Sequence, residues 1–403
     1  MAFSSRVPSQ ETLRTIFLSS FVPRECGLAT FTEDVIGAVG VHGVSSCVAA
    51  MNRPGETFAY DKRVLLTIRE DQPADYLAAA KQINRSGYDV LSVQHEFGIY
   101  GGVDCQHLLT LLDAVEIPVV TTLHTVVRKP SEAMRENLRQ VARRSSAVVV
   151  MNSLAIEILA TVYGVDASKV IMIHHGAPVP PRDRVHTVKA DLRLHGHKVI
   201  STFGLLSSGK GLEYAIQAMP RIVKEHPETL YLVLGQTHPV VKQQEGERYR
   251  EALKSQAREL GVEQHVRFVD KYFTKTELIA YLMATDIYLT PYLNMEQVTS
   301  GTLAYAMACG RPLVSTPYLH AQFLLGEDRG LLVPPADPVR TAEACLTILD
   351  NPDLQARMER TNWRYGQTLI WPRIGQEYLR LFQQVTRVHA MPSTTYLQAR
   401  LPA

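Results

Sequence analysis

The sequence lacks any segment typical of proteins that enter or cross a membrane. It has no apolar run of spanning length, and no basic, apolar leader stands at its N-terminus. Cysteine is scarce, with five residues in 403 and no pair at the spacing of a metal site. An odd, dispersed set of cysteines is typical of a reducing compartment. We therefore expect a soluble, cytoplasmic protein without a transmembrane segment.

Motifs of several catalytic classes are absent as well. The chain has no Asp-x-Asp pair to hold a divalent metal on a diphosphate, no Ser-His-Asp arrangement and no Gly-x-Ser-x-Gly turn. Its formal net charge of +2 argues against a broad nucleic-acid surface, which needs a concentrated basic face. We expect no metal, no cofactor and no nucleic-acid partner. Basic side chains and helix N-termini would then neutralise an anionic leaving group.

What the chain does contain is a repeated alternation of β-rich apolar runs and helical stretches. Its residues are 46% hydrophobic and 20% charged, which is enough apolar material for two cores. Several runs are apolar throughout, as in strands covered on both faces. We predict strands at residues 14–19, 46–51, 64–68, 89–94, 118–123, 147–152 and 170–173, and then at 198–203, 230–234, 266–269, 287–290, 313–316 and 331–333. The alternation predicts an α/β protein with doubly wound, mostly parallel sheets.

A proline-rich stretch divides this alternation into two halves. Pro178, Pro180 and Pro181 stand within four residues, and they cannot continue a helix or a central strand. Two similar domains enclose a cleft, and ligands of such folds bind at the carboxyl ends of the strands. We predict Rossmann-like domains at residues 1–180 and 188–370, a linker at 181–187, and a C-terminal helix and tail at 371–403.

The stretch from Met295 to Thr316 is typical of a loop that opens into a helix and is followed by a strand. Thr299 or Ser300 can cap this helix, because a short hydroxyl accepts a hydrogen bond from an unpaired backbone N–H. The first turn, Ser300-Gly-Thr302, leaves N–H groups uncovered, and the helix dipole favours an anion there. The pattern predicts a phosphate site at the helix start.

Two further turns of the second domain can reach a ligand. The strand at 198–203 ends in a glycine-rich turn with Gly204 and Lys210, which suits a phosphate but lacks the spacing of a Walker loop. A plain strand-to-helix turn with a solvated lysine is the alternative. The next strand leads to Thr237 and His238, which either line the cleft or belong to the ordinary surface.

In the first domain, three strand ends deliver histidines toward one presumed cleft. The side chains concerned are His95 with Glu96, His124, and the pair His174 and His175. A structural role for His95, with Glu96 in solvent, is the alternative, but the convergence of the histidines favours function. No second histidine stands at helical spacing from His95, so zinc is not expected. Gly27 lies near the same strand ends and permits close approach of a ligand. Three cations in this region could bind an anion: Arg24, Arg128 and Lys129.

Taken together, these features resemble the retaining glycosyltransferases of family 4, which have the GT-B fold of two Rossmann-like domains facing across a cleft. The resemblance covers most of the chain and rests on Gly27, His124, the turn 203–211 with Lys210, and Ala306-Met-Ala-Cys-Gly-Arg-Pro312, which looks like the family's Glu-Ala-Met-Ala-x-Gly-x-Pro. It implies an acceptor-binding first domain and a donor-binding second domain. It also implies that Lys210 and residues 300–302 hold the donor's phosphates and sugar hydroxyls. A late helix around residues 363–382 would cross back to the first domain near Trp371.

Two positions depart from the family's pattern. The family usually carries two glutamates eight positions apart, but here the first falls on Gln297, beside Glu296, and the second is Tyr305. The second glutamate normally binds the ribose of the nucleotide, so ribose recognition has to differ. The arginine that usually follows the glycine of the first turn is replaced by Leu205. Candidates to supply its charge are Arg24, Arg128 and Lys129.

The resemblance implies a retaining glycosyltransferase that moves a hexose from a UDP- or GDP-linked sugar to a carbohydrate or other hydroxyl acceptor, without a metal. Its catalytic candidates are His124, His95 and Glu96. Its donor-binding candidates are Gly27, Gly204, Lys210, Thr237, His238, Glu296, Gln297, Ser300, Gly301, Thr302 and Tyr305. Two alternatives stay open. One is a glycoside phosphorylase of the same fold, since Ser300-Gly-Thr302 also looks like the Ser-Gly-Thr of α-glucan phosphorylases, and the other is a non-catalytic sugar- or nucleotide-binding member.

Overall fold

Thirteen strands form two sheets within the residues that the structure, a computed structural model, describes: 12–181, 187–326 and 328–391. The first sheet contains β1 (Arg14–Ser19), β2 (Ser45–Asn52), β3 (Val64–Arg69), β4 (Val90–His95), β5 (Val119–Leu123), β6 (Ala147–Val150) and β7 (Val170–Met172). The second contains β8 (Lys198–Phe203), β9 (Thr229–Leu234), β10 (Val266–Val269), β11 (Ile287–Thr290), β12 (Leu313–Ser315) and β13 (Gly330–Leu332). Every predicted strand is present, with its ends shifted by two residues at most.

All strand pairings in the two sheets are parallel. The first sheet has the order β3-β2-β1-β4-β5-β6-β7 and the second the order β10-β9-β8-β11-β12-β13. The direction of winding therefore reverses beside β1 and beside β8. Ile16 of β1, for example, lies opposite Cys47 of β2 and Leu91 of β4. This is the predicted doubly wound arrangement, in which ligands bind beyond the carboxyl ends of the strands near the reversal.

Helices cover both faces of each sheet. In chain order they are α1 (Gly27–Gly40), α2 (Pro73–Arg85), α3 (His107–Ala114), α4 (Glu132–Arg144), α5 (Ser153–Tyr163), α6 (Val188–Asp191), α7 (Leu212–Glu225), α8 (Pro239–Glu245), α9 (Arg248–Glu259), α10 (Lys275–Met283), α11 (Gly301–Ala308), α12 (Leu319–Leu324), α13 (Pro338–Leu349), α14 (Pro352–Gly366) and α15 (Trp371–His389). Short 3₁₀ turns lie at Val103–Cys105, Ala167–Lys169, Ser208–Lys210 and Glu263–His265. In this part of the chain, no helix combines the length and the apolar character needed to cross a membrane.

The central strands are apolar because both of their faces are covered. Every residue of β4, β5, β6 and β9 is buried, so a strand with alternating polar residues would place polar groups in the core. Some of the polar side chains in these strands have partners within the core. The hydroxyl of Thr121 in β5, for example, lies 2.8 Å from that of Ser145. Burial on both faces thus accounts for the continuous apolar runs in the sequence.

The last helix, α15, packs against the first sheet. The rings of Phe382 and Phe17 lie 6.3 Å apart, centroid to centroid, and the hydroxyl of Tyr378 is 3.1 Å from that of Thr122. The expectation of one late helix around residues 363–382 is wrong, because α14 ends at 366 and α15 begins at 371. Pro372 explains the break, since proline lacks the N–H of a continuing helix but suits a first turn.

The two passages of the chain between the domains lie side by side. The N–H of Ala177 donates to the oxygen of Leu369 at 2.7 Å, and the N–H of Trp371 donates back to Ala177 at 2.9 Å. The predicted domain limits stay predictions. Within the predicted linker at 181–187, residues 182–186 lie outside the described residues, as do residues 1–11 and 392–403.

Packing of α15 on α1 depends on Gly375. A β-carbon there would lie 2.3 Å from the backbone oxygen of Ala38. We expect Gly375→Ala to lower the free energy of unfolding by about 1–3 kcal/mol, because the methyl group would separate the two helices. In the control Gly37→Ala, a β-carbon on α1 meets nothing within 4 Å. Chemical denaturation should show that this control is neutral or more stable by up to about 1 kcal/mol. Equal stability of the two variants would contradict the packing.

Candidate active site

The carboxyl ends of the two sheets face each other across a cleft whose walls are in contact. On one side, Gln236 of the loop after β9 donates a 2.5 Å hydrogen bond to Glu25 of the loop after β1. On the other side, Asn152 after β6 donates to the backbone oxygen of Val298, also at 2.5 Å. The domains are closed on each other, so a ligand in the cleft would contact both.

Helix α11 begins in this cleft with its first N–H groups uncovered. Ser300, one of the two predicted caps, accepts a hydrogen bond from the N–H of Leu303 at 3.3 Å. The N–H of Ser300 itself donates to Nδ1 of His320 at 2.7 Å, a contact that no sequence pattern signals. The N–H groups of Gly301 and Thr302 belong to the first turn and have no acceptor within the helix. They are therefore available to an anion.

The turn after β8 brings the predicted lysine to the same place. The Nζ of Lys210 lies 3.9 Å above the ring centre of Tyr292, whose hydroxyl is 3.0 Å from that of Thr302. A β-carbon on Gly204 would lie 3.7 Å from Cγ2 of Thr302 and 3.9 Å from Nζ of Lys210. Gly204 also has a φ of 134°, which glycine adopts readily. Three predicted residues thus meet beside Tyr292, which sequence reasoning missed because a tyrosine after a buried strand resembles an ordinary core residue.

Two other predicted donor contacts in the second domain have structural partners. The hydroxyl of Thr237, only 1% exposed, donates to Glu247 at 2.5 Å. It is therefore not free to bind a donor. Nδ1 of His238 accepts a hydrogen bond from the N–H of Val240 at 3.3 Å and caps α8. The loop carrying these residues lies beside the lysine turn, because the N–H of His238 donates to the oxygen of Leu206 at 2.9 Å.

Two histidines of the first domain pack against Phe31, and one of them, His175, lies at the start of α11. His124 places Nε2 3.0 Å from Oε1 of Gln94, and the Phe31 ring packs edge-on against it at 4.6 Å. Nδ1 of His175 donates to the oxygen of Gly176 at 2.7 Å. Burial lowers the pKa of His124 to about 3 and that of His175 to about 4. Both rings are neutral near pH 7, so they act as hydrogen-bonding groups rather than as cations.

His95 does not reach the cleft surface, contrary to our expectation that it contacts substrate. Its ring is fully buried, with the Phe97 ring at 5.0 Å and the Tyr100 ring at 6.2 Å. Neither ring nitrogen has a hydrogen-bond partner among the described residues, and burial lowers the pKa of His95 to about 4. Its position directly inside the strand end, before the loop begins, explains the burial. The ring packs in the interior of the first domain.

Two residues expected to bind substrate instead join the two domains at the rim of the cleft. Arg128 donates its backbone N–H and its guanidinium to the carboxylate of Glu296, at 3.0, 2.9 and 2.6 Å. Each charge neutralises the other, so neither the predicted anion contact nor the predicted donor contact is free. Gln297 donates to the oxygen of Thr299 at 2.8 Å, within its own loop. Lys129 is exposed at the same rim.

The loop after β1 carries the other two candidates of the first domain. Arg24 is 7% exposed, and its Nη1 lies 3.4 Å from the oxygen of Met51 and 3.7 Å from the carboxylate of Glu56. Its charge is thus balanced within the first domain. A β-carbon on Gly27, the first residue of α1, would meet nothing within 4 Å. Open space therefore surrounds this glycine.

Two family models match the chain. The model described as Glycosyltransferase Family 4 matches residues 27–179, and the model described as Glycosyl transferases group 1 matches residues 197–351. Together they cover every strand of the two sheets except β1. The chain belongs to glycosyltransferase family 4. The prediction of a hexosyltransferase with the GT-B fold is confirmed.

Relatives and solved structures agree with this membership. The D-inositol 3-phosphate glycosyltransferase of Corynebacterium efficiens is 26% identical over 293 residues, or 68% of this chain and 67% of that protein. The phosphatidyl-myo-inositol mannosyltransferase of Mycolicibacterium smegmatis is 25% identical over 322 residues, or 78% and 76%. HepE of Anabaena, solved in complex with UDP, has a TM-score of 0.73 at 16% identity, covering 92% of this chain and 100% of that one. Sucrose-phosphate synthase of Thermosynechococcus elongatus has a TM-score of 0.72 at 18% identity, covering 93% and 99%.

In this family-4 enzyme, Tyr305 links the two domains. Its hydroxyl donates to Oδ2 of Asp34 on α1 at 3.1 Å, and its ring lies 6.2 Å from His175 and 6.1 Å from Phe203. Lys275 of α10 also bonds to Asp34. Burial raises the pKa of Asp34, while the lysine and the tyrosine hydroxyl oppose that rise. A residue expected to contact the donor is therefore part of a buried contact between domains, with an acid that sequence reasoning did not select.

Glu96 is a half-buried carboxyl on the enzyme's first-domain wall. It accepts a 2.8 Å hydrogen bond from the hydroxyl of Thr125, yet burial raises its pKa to about 7. The folded enzyme therefore holds a proton on Glu96 at pH values where the unfolded chain has lost it. The free energy of unfolding therefore falls as the pH rises from the pKa of the unfolded chain toward 7, and this group lowers it no further above that pH.

We expect Glu96→Gln to be more stable than the wild type at about pH 8 and no more stable at about pH 4.5, because the amide needs no proton. The difference at the higher pH should reach at most about 3 kcal/mol. Urea denaturation at both pH values measures it. Glu132→Gln, at a position 83% exposed in the same domain, is the control and should show no such change with pH. If Glu96→Gln changed the stability equally at both pH values, the raised pKa of Glu96 would be contradicted.

Removal of the Tyr305 hydroxyl tests the contact between domains. We expect Tyr305→Phe to lower the unfolding free energy by about 1–3 kcal/mol, because an oxygen of buried Asp34 loses a donor. The control is Tyr272→Phe, whose hydroxyl lies 3.1 Å from Thr30 across the same interface but whose side chain is 43% exposed. Water replaces that bond, so thermal denaturation should show little change. If the two variants lost equal amounts of unfolding free energy, the buried contact with Asp34 would contribute no more to stability than the exposed one.

Proposed function

We propose that the enzyme is a retaining, metal-independent hexosyltransferase that uses a nucleotide sugar as donor. The observation that carries this proposal is the convergence of Lys210, Gly204 and the uncovered start of α11 at one point of the cleft. A cation, a backbone without a side chain and free N–H groups together suit a phosphate group. A second domain faces this point, as the transfer of a sugar to an acceptor requires.

The proposed chemistry needs no carboxylate nucleophile. The bond between the anomeric carbon and the leaving phosphate oxygen breaks, and the acceptor oxygen bonds to that carbon from the same face of the sugar. The acceptor's proton passes to the leaving phosphate oxygen. Lys210 and the N–H groups of Gly301 and Thr302 stabilise the charge that develops on the leaving group. Neutral His124 hydrogen-bonds the transferring sugar or the acceptor hydroxyl.

Charge neutralisation by the protein supports independence from metal. The chain contains no Asp-x-Asp sequence, and no three potential metal ligands come together within the described residues. Lys210 and the positive end of α11 instead lie where the leaving phosphate would be. We therefore propose that the enzyme remains active in the presence of a metal chelator.

The relatives support a nucleotide-sugar donor. HepE has been solved with UDP and with UDP-glucose, and one relative is named as a mannosyltransferase. By analogy, we propose a UDP- or GDP-linked hexose as donor. The acceptor is a carbohydrate or another hydroxyl compound bound by the first domain.

One observation favours a second candidate, a glycoside phosphorylase of the same fold. The position where family members have a ribose-binding glutamate is Tyr305, which is bonded to Asp34. A phosphorylase binds a sugar and one phosphate, so it requires no ribose contact. Lys210 and the start of α11 would then hold inorganic phosphate or a sugar 1-phosphate.

A ligand panel separates these functions. We expect UDP or GDP, each with excess EDTA, to raise the melting temperature of the enzyme, whereas phosphate and sugar 1-phosphates should not. At a thousandfold excess over its Kd, a ligand adds about 4 kcal/mol to stability. Lys210→Ala should abolish most of the shift with little loss of stability, while Lys254→Ala, an ion-paired surface position, should leave the shift unchanged.

The outcomes of this panel are distinct. A shift with phosphate and none with any nucleotide would replace the transferase proposal by the phosphorylase. A nucleotide shift that disappears in EDTA would overturn metal independence. An unchanged shift in Lys210→Ala would show that the phosphate site has been placed wrongly.

A further inference from the structure

Most basic side chains around the cleft have a carboxylate partner. The ion pairs are Arg24 with Glu56, Arg69 with Asp75, Arg128 with Glu296, Arg250 with Glu247 and Asp270, and Lys275 with Asp34. Lys129 has no such partner within the described part of the chain, but it is exposed at the rim beside Glu296. These charges are either balanced or in solvent. None of them is free inside the cleft to meet an anionic ligand.

Arg53 and Lys210 are different, because each is partly buried and unpaired. Arg53 lies just after β2, and its backbone N–H donates to Glu56 at 3.2 Å. Its guanidinium has no hydrogen bond and no ion pair within the described residues, although it is shielded from part of the solvent. Lys210 likewise has no ion pair there and rests on the ring of Tyr292. Partly buried cations without partners are costly unless a ligand neutralises them.

Contacts between loops bring these two cations to the same end of the cleft. Strands β1 and β2 are neighbours, so Arg53 lies beside the loop whose Glu25 bonds to Gln236 of the second domain. Two residues after Gln236, the N–H of His238 donates to Leu206, in the turn that carries Lys210. Burial lowers the pKa of His238, and the positive charges of Arg53 and Lys210 lower it further, as expected if both lie near its ring.

Glu70 lies near Arg53 but does not balance the charge of its guanidinium. Glu70 is close enough for the guanidinium to affect its pKa, yet the two form no ion pair within 4.0 Å. Burial raises the pKa of Glu70 overall, and its Oε2 is buried without a hydrogen-bond partner. The charge of Arg53 thus remains available.

We propose that Arg53 supplies, from the first domain, a second cation that binds the leaving diphosphate together with Lys210. The inference rests on the proposed function, and it adds that the donor site is complete only when the two domains are closed as they are here. A guanidinium suits this role because its planar array of donors matches two phosphate oxygens at once. Charge on the leaving group would then be shared between opposite walls of the cleft.

Calorimetric titration of Arg53→Met with UDP, GDP and ADP, and with UMP, GMP and AMP, tests the proposal. We expect the diphosphate that the wild type prefers to bind about 10- to 100-fold more weakly, and its monophosphate to be affected less. Arg53→Lys should recover part of the affinity. Arg69→Met is the matched control, since that arginine ends the neighbouring strand but is 64% exposed and paired with Asp75. It should bind as the wild type does.

Each contrary result has its own meaning. If the wild type binds none of the nucleotides, the proposed function fails. If wild type and Arg53→Met bind the same diphosphate equally well, the role of Arg53 fails while the proposed function stands. If Arg53→Met loses diphosphate and monophosphate affinity equally and also melts at a lower temperature, Arg53 is structural and the inference is overturned.

Discussion

The two domains can close as they do because the first residue of α11 has no side chain. A β-carbon on Gly301 would lie 2.8 Å from two ring atoms of His175, so a larger residue would hold the first domain away. The ring of Phe31 then packs against His175 at 5.0 Å and against Trp371 at 5.4 Å. Imidazole and aromatic rings therefore lie on one side of the start of α11. These rings lower the local polarity, which strengthens the attraction of the free N–H groups for an anion.

Closure also decides which groups in the cleft carry charge. Because burial disfavours the ionised form, His124 is neutral and the pKa of Glu96 is raised to about 7. Lys210 has no carboxylate partner among the described residues, and its Nζ lies over the electron-rich face of Tyr292. The cleft thus combines neutral hydrogen-bonding groups with unpaired cations. That combination suits the departure of a phosphate from a sugar better than it suits attack by a carboxylate.

The contacts that hold the domains together differ in exposure to solvent, and they therefore differ in how strongly they stabilise the closed cleft. The pair of Arg128 and Glu296 lies at the rim, where water and salt weaken it. Tyr305 and Asp34 are buried, and the acid is also bonded to Lys275. Opening of the cleft would leave the buried acid without these partners until water reached it. The main resistance to opening is therefore expected at Asp34 rather than at the rim.

The sequence by itself determined the strands and the doubly wound order, and it narrowed the cap of α11 to Thr299 or Ser300, because these depend on neighbouring residues and on burial of whole segments. It also identified Gly204, Lys210 and Thr302, which lie at strand ends that a parallel sheet brings together. Only the tertiary structure decided which polar groups are free. Arg128 meets Glu296 168 positions away, and Asp34 meets Tyr305 271 positions away. No local sequence pattern encodes a partner from the other domain. The fold therefore determines which side chains are paired, and so which charged groups remain free to bind a substrate.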